Sequence, residues 1–352
     1  MRVELAGTAA PRGWPEPGCG CASCRRAAAE GGPAGAGGRR AAGVLVDGVL
    51  RLGGGRPPLP RPGYEITRMP GGWDVTGPAG RLLCSDGPGG VPDPPPGTVR
   101  YDIALLDLLA DPAQLGGLRR RRLVTGHTAV AVIHADHRVS SPAELDRRCR
   151  LWGVTPAADG DVLVSPDADG RAQARVAPAC RALVLGGARS GKSTEAELRL
   201  AAEPEVRYVA TGRPAGGDAD WAARVAAHRA RRPAWWQTVE TTDLAAELGR
   251  PGGAVLIDGV GGWLAAVMDA CGSWSGGPDE RLRRRIDELV GAWRGCRARV
   301  VAVSEETGLG VIPATSAGRL FRDQLGGLNQ RLAAESDETA LVVAGRVVSL
   351  PG

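Results

Sequence analysis

Arg181-Ala182-Leu183-Val184-Leu185-Gly186-Gly187-Ala188-Arg189-Ser190-Gly191-Lys192-Ser193 runs from a short apolar stretch straight into a glycine-rich turn. Residues 186–193 fit G-x-x-x-x-G-K-[ST], the loop whose backbone N–H groups cradle nucleotide phosphates. Lys192 is the only lysine in a chain with 44 basic residues; all the others are arginine. A composition that has nearly abandoned lysine keeps one where a compact ammonium must reach the β/γ-phosphates and a planar guanidinium is too wide. The apolar run predicts a buried strand, and residues 194–200, rich in helix formers, predict a helix. Strand, turn and helix N-terminus together aim N–H groups and the helix dipole at an anion. Ser193 is placed to offer its hydroxyl to Mg²⁺.

Downstream, apolar runs at residues 206–211, 254–258, 299–304 and 340–344 alternate with helical stretches. Continuous apolar strands separated by helices predict an α/β domain with a parallel sheet covered on both faces. Ligands of such sheets bind at the carboxyl ends of the strands, where the glycine-rich loop, Thr211, Asp258 and Glu305 fall. Asp258 ends its run where an acid would hold Mg²⁺, directly or through water. The other reading of Asp258 is a cap for the following helix.

The bulk properties bound what surrounds this loop. At 352 residues the chain is long enough for two domains. Its net charge is +5, and its arginines are interleaved with 39 acidic residues. That pattern is a solvated surface, not a nucleic-acid footprint. No run of about 18 apolar residues exists, so no membrane span is expected. Met1-Arg2-Val3-Glu4-Leu5-Ala6 lacks the apolar core of a signal peptide, so a cytoplasmic location is expected. The eight cysteines are then expected as thiols or metal ligands. Residues 161–165 read as a strand, and 166–180 as a polar, Pro/Asp/Ala/Gly-rich linker. The expected division is a first domain at 1–165 and a second at 181–352.

His228 is the only histidine after residue 137. Residues 217–233 carry acids at their start, arginines at their end and a stopping Pro233, which predicts a helix. Arg224, His228 and Arg231 share one face of it. Three cations there would repel, so a neutral imidazole, which is a nucleophile, is expected on an anion-attracting surface. The same spacing fits a surface histidine on a basic helix.

Residues 181–352 resemble the bifunctional adenosylcobinamide kinase/adenosylcobinamide-phosphate guanylyltransferase family. The resemblance is carried by residues 186–193, Tyr208-Val209-Ala210-Thr211, His228-Arg229-Ala230-Arg231-Arg232-Pro233, and Trp236-Gln237-Thr238-Val239-Glu240. It continues through Gly308-Leu309-Gly310-Val311-Ile312-Pro313, Phe321-Arg322-Asp323 and Asn329-Gln330-Arg331, in the family's order. It implies a RecA-like P-loop fold and phosphorylation of adenosylcobinamide with ATP or GTP. It further implies transfer of GMP from GTP to adenosylcobinamide phosphate through a GMP-histidine intermediate, and a homo-oligomer.

Carried over, His228 is the nucleophile and Lys192 the catalytic cation. Nucleotide contacts fall to Gly186, Gly187, Ala188, Arg189, Ser190, Gly191, Lys192 and Ser193, and to Thr211, Gly212 and Arg213. Arg229, Ala230, Arg231, Arg232, Glu240 and Asp258 complete the set, with Mg²⁺ on Ser193 and Asp258. Two stretches depart from the family. Gly259-Val260-Gly261 follows Asp258 where Cys-Leu-Thr is usual, and Glu305-Glu306-Thr307-Gly308 stands where Asn-Glu-Val-Gly is frequent.

In the first domain, Cys19-Gly20-Cys21-Ala22-Ser23-Cys24 offers three thiols that would close on one tetrahedral zinc if a fourth ligand arrived. His134-Ala135-Asp136-His137 supplies a candidate; three free thiols are the other reading. Residues 1–165 resemble a truncated metallo-β-lactamase-fold α/β domain of the phosphodiesterase type. That resemblance implies structural Zn²⁺ on Cys19, Cys21, Cys24 and His137, and makes His134 and Asp86 remnants of catalytic ligand positions. No H-x-H-x-D-H motif is present. A dinuclear centre needs about five His and Asp ligands, so an inert, supporting domain is expected. Two rival functions remain for the whole chain: a P-loop kinase of another small alcohol, with no covalent nucleotide, and a nucleotide-binding regulatory or scaffold protein in which turnover is incidental.

Overall fold

The computed structural model describes residues 1–30, 38–53, 57–165, 180–211, 226, 229–275 and 279–351. The chain divides into two units, Met1–Pro178 and Ala179–Gly352, each with its own core. The linker expected at 166–180 lies outside the described residues except for Cys180.

The strands of the first unit are β1 (Arg2–Gly7), β2 (Gly43–Val46), β3 (Leu50–Gly53), β4 (Glu65–Met69), β5 (Gly72–Gly77), β6 (Gly80–Ser85), β7 (Ile103–Leu106), β8 (Ala129–Val132) and β9 (Val162–Val164). One sheet has the order β3-β2-β1-β9, the other β4-β5-β6-β7-β8. Alternation in β1 sends Val3 and Leu5 inward, where they meet Val75, Leu82, Ile103 and Leu105 from the second sheet in a common core. All four residues of β7 are buried, as expected of a strand with parallel neighbours on both sides. Among the described residues, three helices, α1 (Ala22–Glu30), α2 (Ala113–Arg120) and α3 (Pro142–Trp152), complete the unit. Ser141 caps α3 by accepting from the Glu144 N–H at 3.1 Å, and Gly153 closes it with φ 63°.

The strands of the second unit are β10 (Arg181–Gly186), β11 (Val206–Ala210), β12 (Gln237–Glu240), β13 (Ala254–Asp258), β14 (Val300–Glu305), β15 (Glu338–Val343) and β16 (Arg346–Leu350). They form one sheet in the order β12-β11-β13-β14-β10-β15-β16. All are parallel except β16, which pairs antiparallel with β15. The α/β fold with a parallel sheet holds, and every apolar run read as a strand is one. The edge strands β12 and β16 escape sequence reading because they are largely exposed and carry no continuous apolar run.

Both faces of the sheet are covered by α4 (Lys192–Leu200), α5 (Leu244–Gly249), α6 (Val260–Cys271), α7 (Glu280–Gly295) and α8 (Ser316–Ala334). Successive residues of one strand go to opposite cores. Leu183 and Leu185 pack with Trp263, Leu289, Trp293 and Leu328, whereas Ala182 and Val184 pack with Ala196, Leu200 and Val303. Each such Leu or Val contributes about 1.5–3 kcal/mol on burial.

One buried charge ties α4 to the sheet. Arg199 is 1% exposed, and its guanidinium bonds Glu195 at 2.9 Å and Glu338 at 2.8 Å. Arg199→Ala removes the cation and leaves Glu195 buried. Urea unfolding of the variant is expected to show a loss of about 3–5 kcal/mol. A loss near zero would mean that the two carboxylates had been satisfied some other way.

Candidate active site

The site is built at the carboxyl ends of β10, β11, β13 and β14. β10 stops at Gly186, and the chain turns through residues 187–191 into α4. A Cβ on Gly186 would meet Ser190 Oγ at 2.5 Å and Val342 O at 2.8 Å. Gly191, at φ +100°, takes a conformation that L side chains rarely adopt. The Ser190 N–H donates to Gly187 O at 3.3 Å, and the Lys192 N–H to Ser190 Oγ at 3.4 Å, so the loop is self-bonded. Ala188 and Arg189 stand exposed at its tip. Lys192 Nζ folds back over the loop, donating to Gly187 O at 3.2 Å and lying 3.7 Å from Glu305 Oε1.

Two strands away, Asp258 ends β13. Its Oδ1 accepts from Ser193 Oγ at 3.3 Å and its Oδ2 from the Tyr208 hydroxyl. Burial, and then the charge of Asp258, push the Tyr208 phenol well above its ordinary pKa, so it remains a donor. Thr211 Oγ1 donates to Gly259 O at 2.5 Å, pinning the turn after β13. Ser193 Oγ and Asp258 Oδ1 are hard oxygen donors at a spacing suited to a small divalent cation.

The arginines of the basic stretch arrive from the side. Arg229 pairs with Glu240 at 3.0 Å and Arg231 with Glu197 of α4 at 3.2 Å; the Arg232 guanidinium lies 3.6 Å from the centroid of the Tyr208 ring. Arg229 and Glu240 are both more than half exposed, and pairs of that kind hold at most about 1 kcal/mol. They can therefore exchange partners with a phosphate readily. His228, Gly212 and Arg213 lie outside the described residues, as does Arg224. Sequence reading assigned no role to Tyr208, although it stands in a motif quoted above. Its link to Asp258 crosses two strands and needs the sheet register, which pairs Ala210 with Asp258.

In the first unit, Cys19, Cys21, Cys24 and His137 converge, with all four ligand atoms within 4.8 Å of one another. His137 Nδ1 lies 3.8 Å from Cys19 Sγ and 3.9 Å from Cys24 Sγ. The Cys24 N–H, near the start of α1, donates to Cys21 Sγ at 3.4 Å and holds that thiol below its ordinary pKa. Burial pushes the Cys24 thiol up to about 11.

His134 does not join this cluster. It is buried, with Nε2 3.4 Å from Ser85 O, Nδ1 without a hydrogen-bond partner, and a pKa lowered by burial. Asp86 pairs with Arg68. Asp107, fully buried and not singled out in the sequence, accepts from Arg138 Nη1 at 2.8 Å and from the Gly89 N–H at 2.7 Å.

Comparisons with known proteins bear on the second unit. The family described as cobinamide kinase / cobinamide phosphate guanyltransferase matches residues 182–350. The bifunctional adenosylcobalamin biosynthesis protein CobU of Salmonella typhimurium is 39% identical over 180 residues, which span 46% of this chain and 95% of that protein. The bifunctional adenosylcobalamin biosynthesis protein CobP of Pseudomonas aeruginosa is 41% identical over 183 residues, 49% of this chain and 98% of its own. Escherichia coli CobU is 37% identical over 175 residues, 46% of this chain and 95% of its own.

The loop geometry makes Lys192 hard to replace. Lys192→Ala is expected to lower nucleotide-dependent turnover by about 10²–10³-fold, and Lys192→Arg nearly as much. Steady-state rates of the two variants check this. Wild-type turnover in the Arg variant would break the argument from guanidinium width.

Proposed function

We propose a two-step nucleotide chemistry at this site, in a chain that belongs to the cobinamide kinase / cobinamide phosphate guanyltransferase family. The enzyme serves cobalamin biosynthesis as an adenosylcobinamide kinase and adenosylcobinamide-phosphate guanylyltransferase. The observation that carries the chemistry to this edge of the sheet is the 3.3 Å contact of Ser193 with Asp258 beside the lysine of a glycine-rich loop.

Residues 186–193 wrap the triphosphate of ATP or GTP with backbone N–H groups, and Lys192 supplies charge at the β/γ-phosphates. Ser193 and Asp258 would hold Mg²⁺, which neutralises phosphate charge when bound. Thr211, Gly212, Arg213, Glu240 and the stretch Arg229-Ala230-Arg231-Arg232 border the nucleotide. In the first step the hydroxyl of adenosylcobinamide takes the γ-phosphoryl group. In the second, a His228 ring nitrogen attacks the α-phosphorus of GTP and pyrophosphate leaves. A phosphate oxygen of adenosylcobinamide phosphate then displaces the histidine, giving adenosylcobinamide-GDP. The exposed Arg229–Glu240 pair supports this reading, because it holds an exchangeable cation next to His228 in sequence. We further propose a homo-oligomer. No described helix is long and apolar enough to cross a membrane.

We read residues 1–165 as a degenerate metallo-β-lactamase-like domain with a structural role. Its Cys19, Cys21, Cys24 and His137 would hold Zn²⁺. Tetrahedral zinc with Zn–S bonds of about 2.3 Å and a Zn–N bond of about 2.0–2.1 Å sets sulfur and nitrogen ligand atoms roughly 3.6 Å apart; His137 Nδ1 lies within a few tenths of an ångström of that from Cys19 and Cys24, at 3.8 and 3.9 Å.

His228→Ala is expected to cut guanylyl transfer by ~10³-fold or more. Phosphorylation of adenosylcobinamide should survive, and alanine, a better helix former than histidine, suits the helix expected at residues 217–233. The readout is an acid-labile, base-stable GMP adduct formed from α-labelled GTP. An adduct that persists in the variant would assign the nucleophile elsewhere. Elemental analysis of the full chain should find about one zinc per molecule. Cys21→Ser should lose the metal and destabilise the first unit, because structural zinc contributes folding free energy. Two or more zinc ions per chain would contradict the inert-domain reading.

A further inference from the structure

Tyr208 touches both halves of the candidate site, and the two-step chemistry above gives it no role. It stands in the middle of β11, and the register sets it beside Leu256 on β13, two residues before Asp258. It is 3% exposed and belongs to the core that holds Val184, Ala196, Leu200, Leu256 and Val303. A ring packed in this way does not swing on its own.

Two contacts leave that ring in different directions. At its polar end the hydroxyl donates to Asp258 Oδ2, while Asp258 Oδ1 accepts from Ser193 Oγ at 3.3 Å. One carboxylate oxygen is thus held by the neighbouring strand, and the other is turned toward the hydroxyl with which it would hold Mg²⁺. Burial and the charge of Asp258 both keep the phenol protonated, so the donor persists at neutral pH. A group that hydrogen-bonds a metal-holding side chain fixes its direction, and removing such a group typically costs about 10–100-fold in metal affinity or activity.

On the ring face, the Arg232 guanidinium lies 3.6 Å from the centroid. Arg232 Nη1 also donates to Thr238 Oγ1 at 3.4 Å. A guanidinium over an aromatic face gains a cation–π attraction and keeps N–H donors in its own plane for an anion. Arg229 and Arg231 differ, because each is held by a carboxylate, Glu240 at 3.0 Å and Glu197 at 3.2 Å. The ring carries no charge for a phosphate to displace.

We propose that Tyr208 is a positioning residue for both steps: its hydroxyl aims Asp258 at the metal, and its ring seats Arg232 for the nucleotide. The inference rests on the two-step reading above. It predicts that the two functions of one side chain come apart, since phenylalanine keeps the ring and loses the hydroxyl, whereas leucine loses both.

The full chain, loaded with a non-hydrolysable ATP analogue, is titrated with Mn²⁺, and binding is followed by water-proton relaxation. Tyr208→Phe is expected to weaken Mn²⁺ binding by about 10–100-fold. In a second assay, the GMP adduct formed from α-labelled GTP is measured as Mg²⁺ is raised. Excess Mg²⁺ should restore the adduct in the Phe variant, a rescue that general loosening of the core would not give. Tyr208→Leu should stay roughly 3–30-fold slower than the Phe variant at saturating Mg²⁺, the range that a cation–π contact spans. Against an Arg232→Gln background, Tyr208→Leu should cost no more than Tyr208→Phe, because the ring acts through that arginine.

Wild-type Mn²⁺ binding in the Phe variant overturns the role of the hydroxyl. Equal adduct rates in folded Phe and Leu variants, or a full further loss from Leu in the Arg232→Gln background, overturn the role of the ring. A wild-type chain that forms no adduct overturns the GMP-histidine reading itself, and Mn²⁺ binding by the Phe variant still decides the role of the hydroxyl.

Discussion

Lys192 is the interaction on which the second unit depends. Its ammonium lies over the loop that bears it, held by a carbonyl at 3.2 Å and a half-exposed carboxylate at 3.7 Å. Neither partner is strong enough to keep a cation from a triphosphate, whose charge-assisted contacts are roughly twice as strong as neutral ones. The sheet order makes this arrangement possible. Placing β14 between β10 and β13 puts one strand end between the phosphate loop and Asp258, and the two faces of packed Leu, Val and Trp hold those three strand ends in fixed register.

Charge around the site is divided by burial. Arg199 is sealed between Glu195 and Glu338 and anchors α4, the helix whose first residue is Lys192. Arg229 sits in an exposed pair with Glu240 that is cheap to break, whereas Arg231 reaches the largely buried carboxylate of Glu197 on α4. A buried pair resists exchange because separating it strands a charge in low dielectric, whereas an exposed pair trades one partner for water or phosphate. The same residue type thus serves as scaffold in one place and as ligand-binding group in another. Lysine is reserved for the single position where width matters.

What the sequence disclosed follows the same physics. β10, β11, β13 and β14 are legible because a parallel strand buried on both faces reads as an uninterrupted apolar run. Gln237-Thr238-Val239-Glu240 is not, because an edge strand with exposed side chains has no pattern to show. Lys192, Ser193 and Asp258 could be named from a loop motif and a strand end. The contacts of Tyr208 with Asp258 and of Glu305 with Lys192 could not, since both cross between strands whose order no spacing reveals. Strand β14 also runs one residue past its apolar run, and that residue is Glu305.

The first unit contains a buried polar centre around Asp107 and Arg138. Asp107 is wholly buried and would be ruinous alone, yet it accepts from the Arg138 guanidinium and from the N–H groups of Gly89, Leu109 and Ala110. Arg138 also donates to His134 O at 2.8 Å, so one cation satisfies the carboxylate and fixes the backbone of the neighbouring histidine, which holds φ at 61°. A fixed guanidinium cannot polarise a bound water as a metal does, because it has no open coordination position. Among the described residues, the cluster whose chemistry suits a metal is the convergent set of thiols of Cys19, Cys21 and Cys24 with His137.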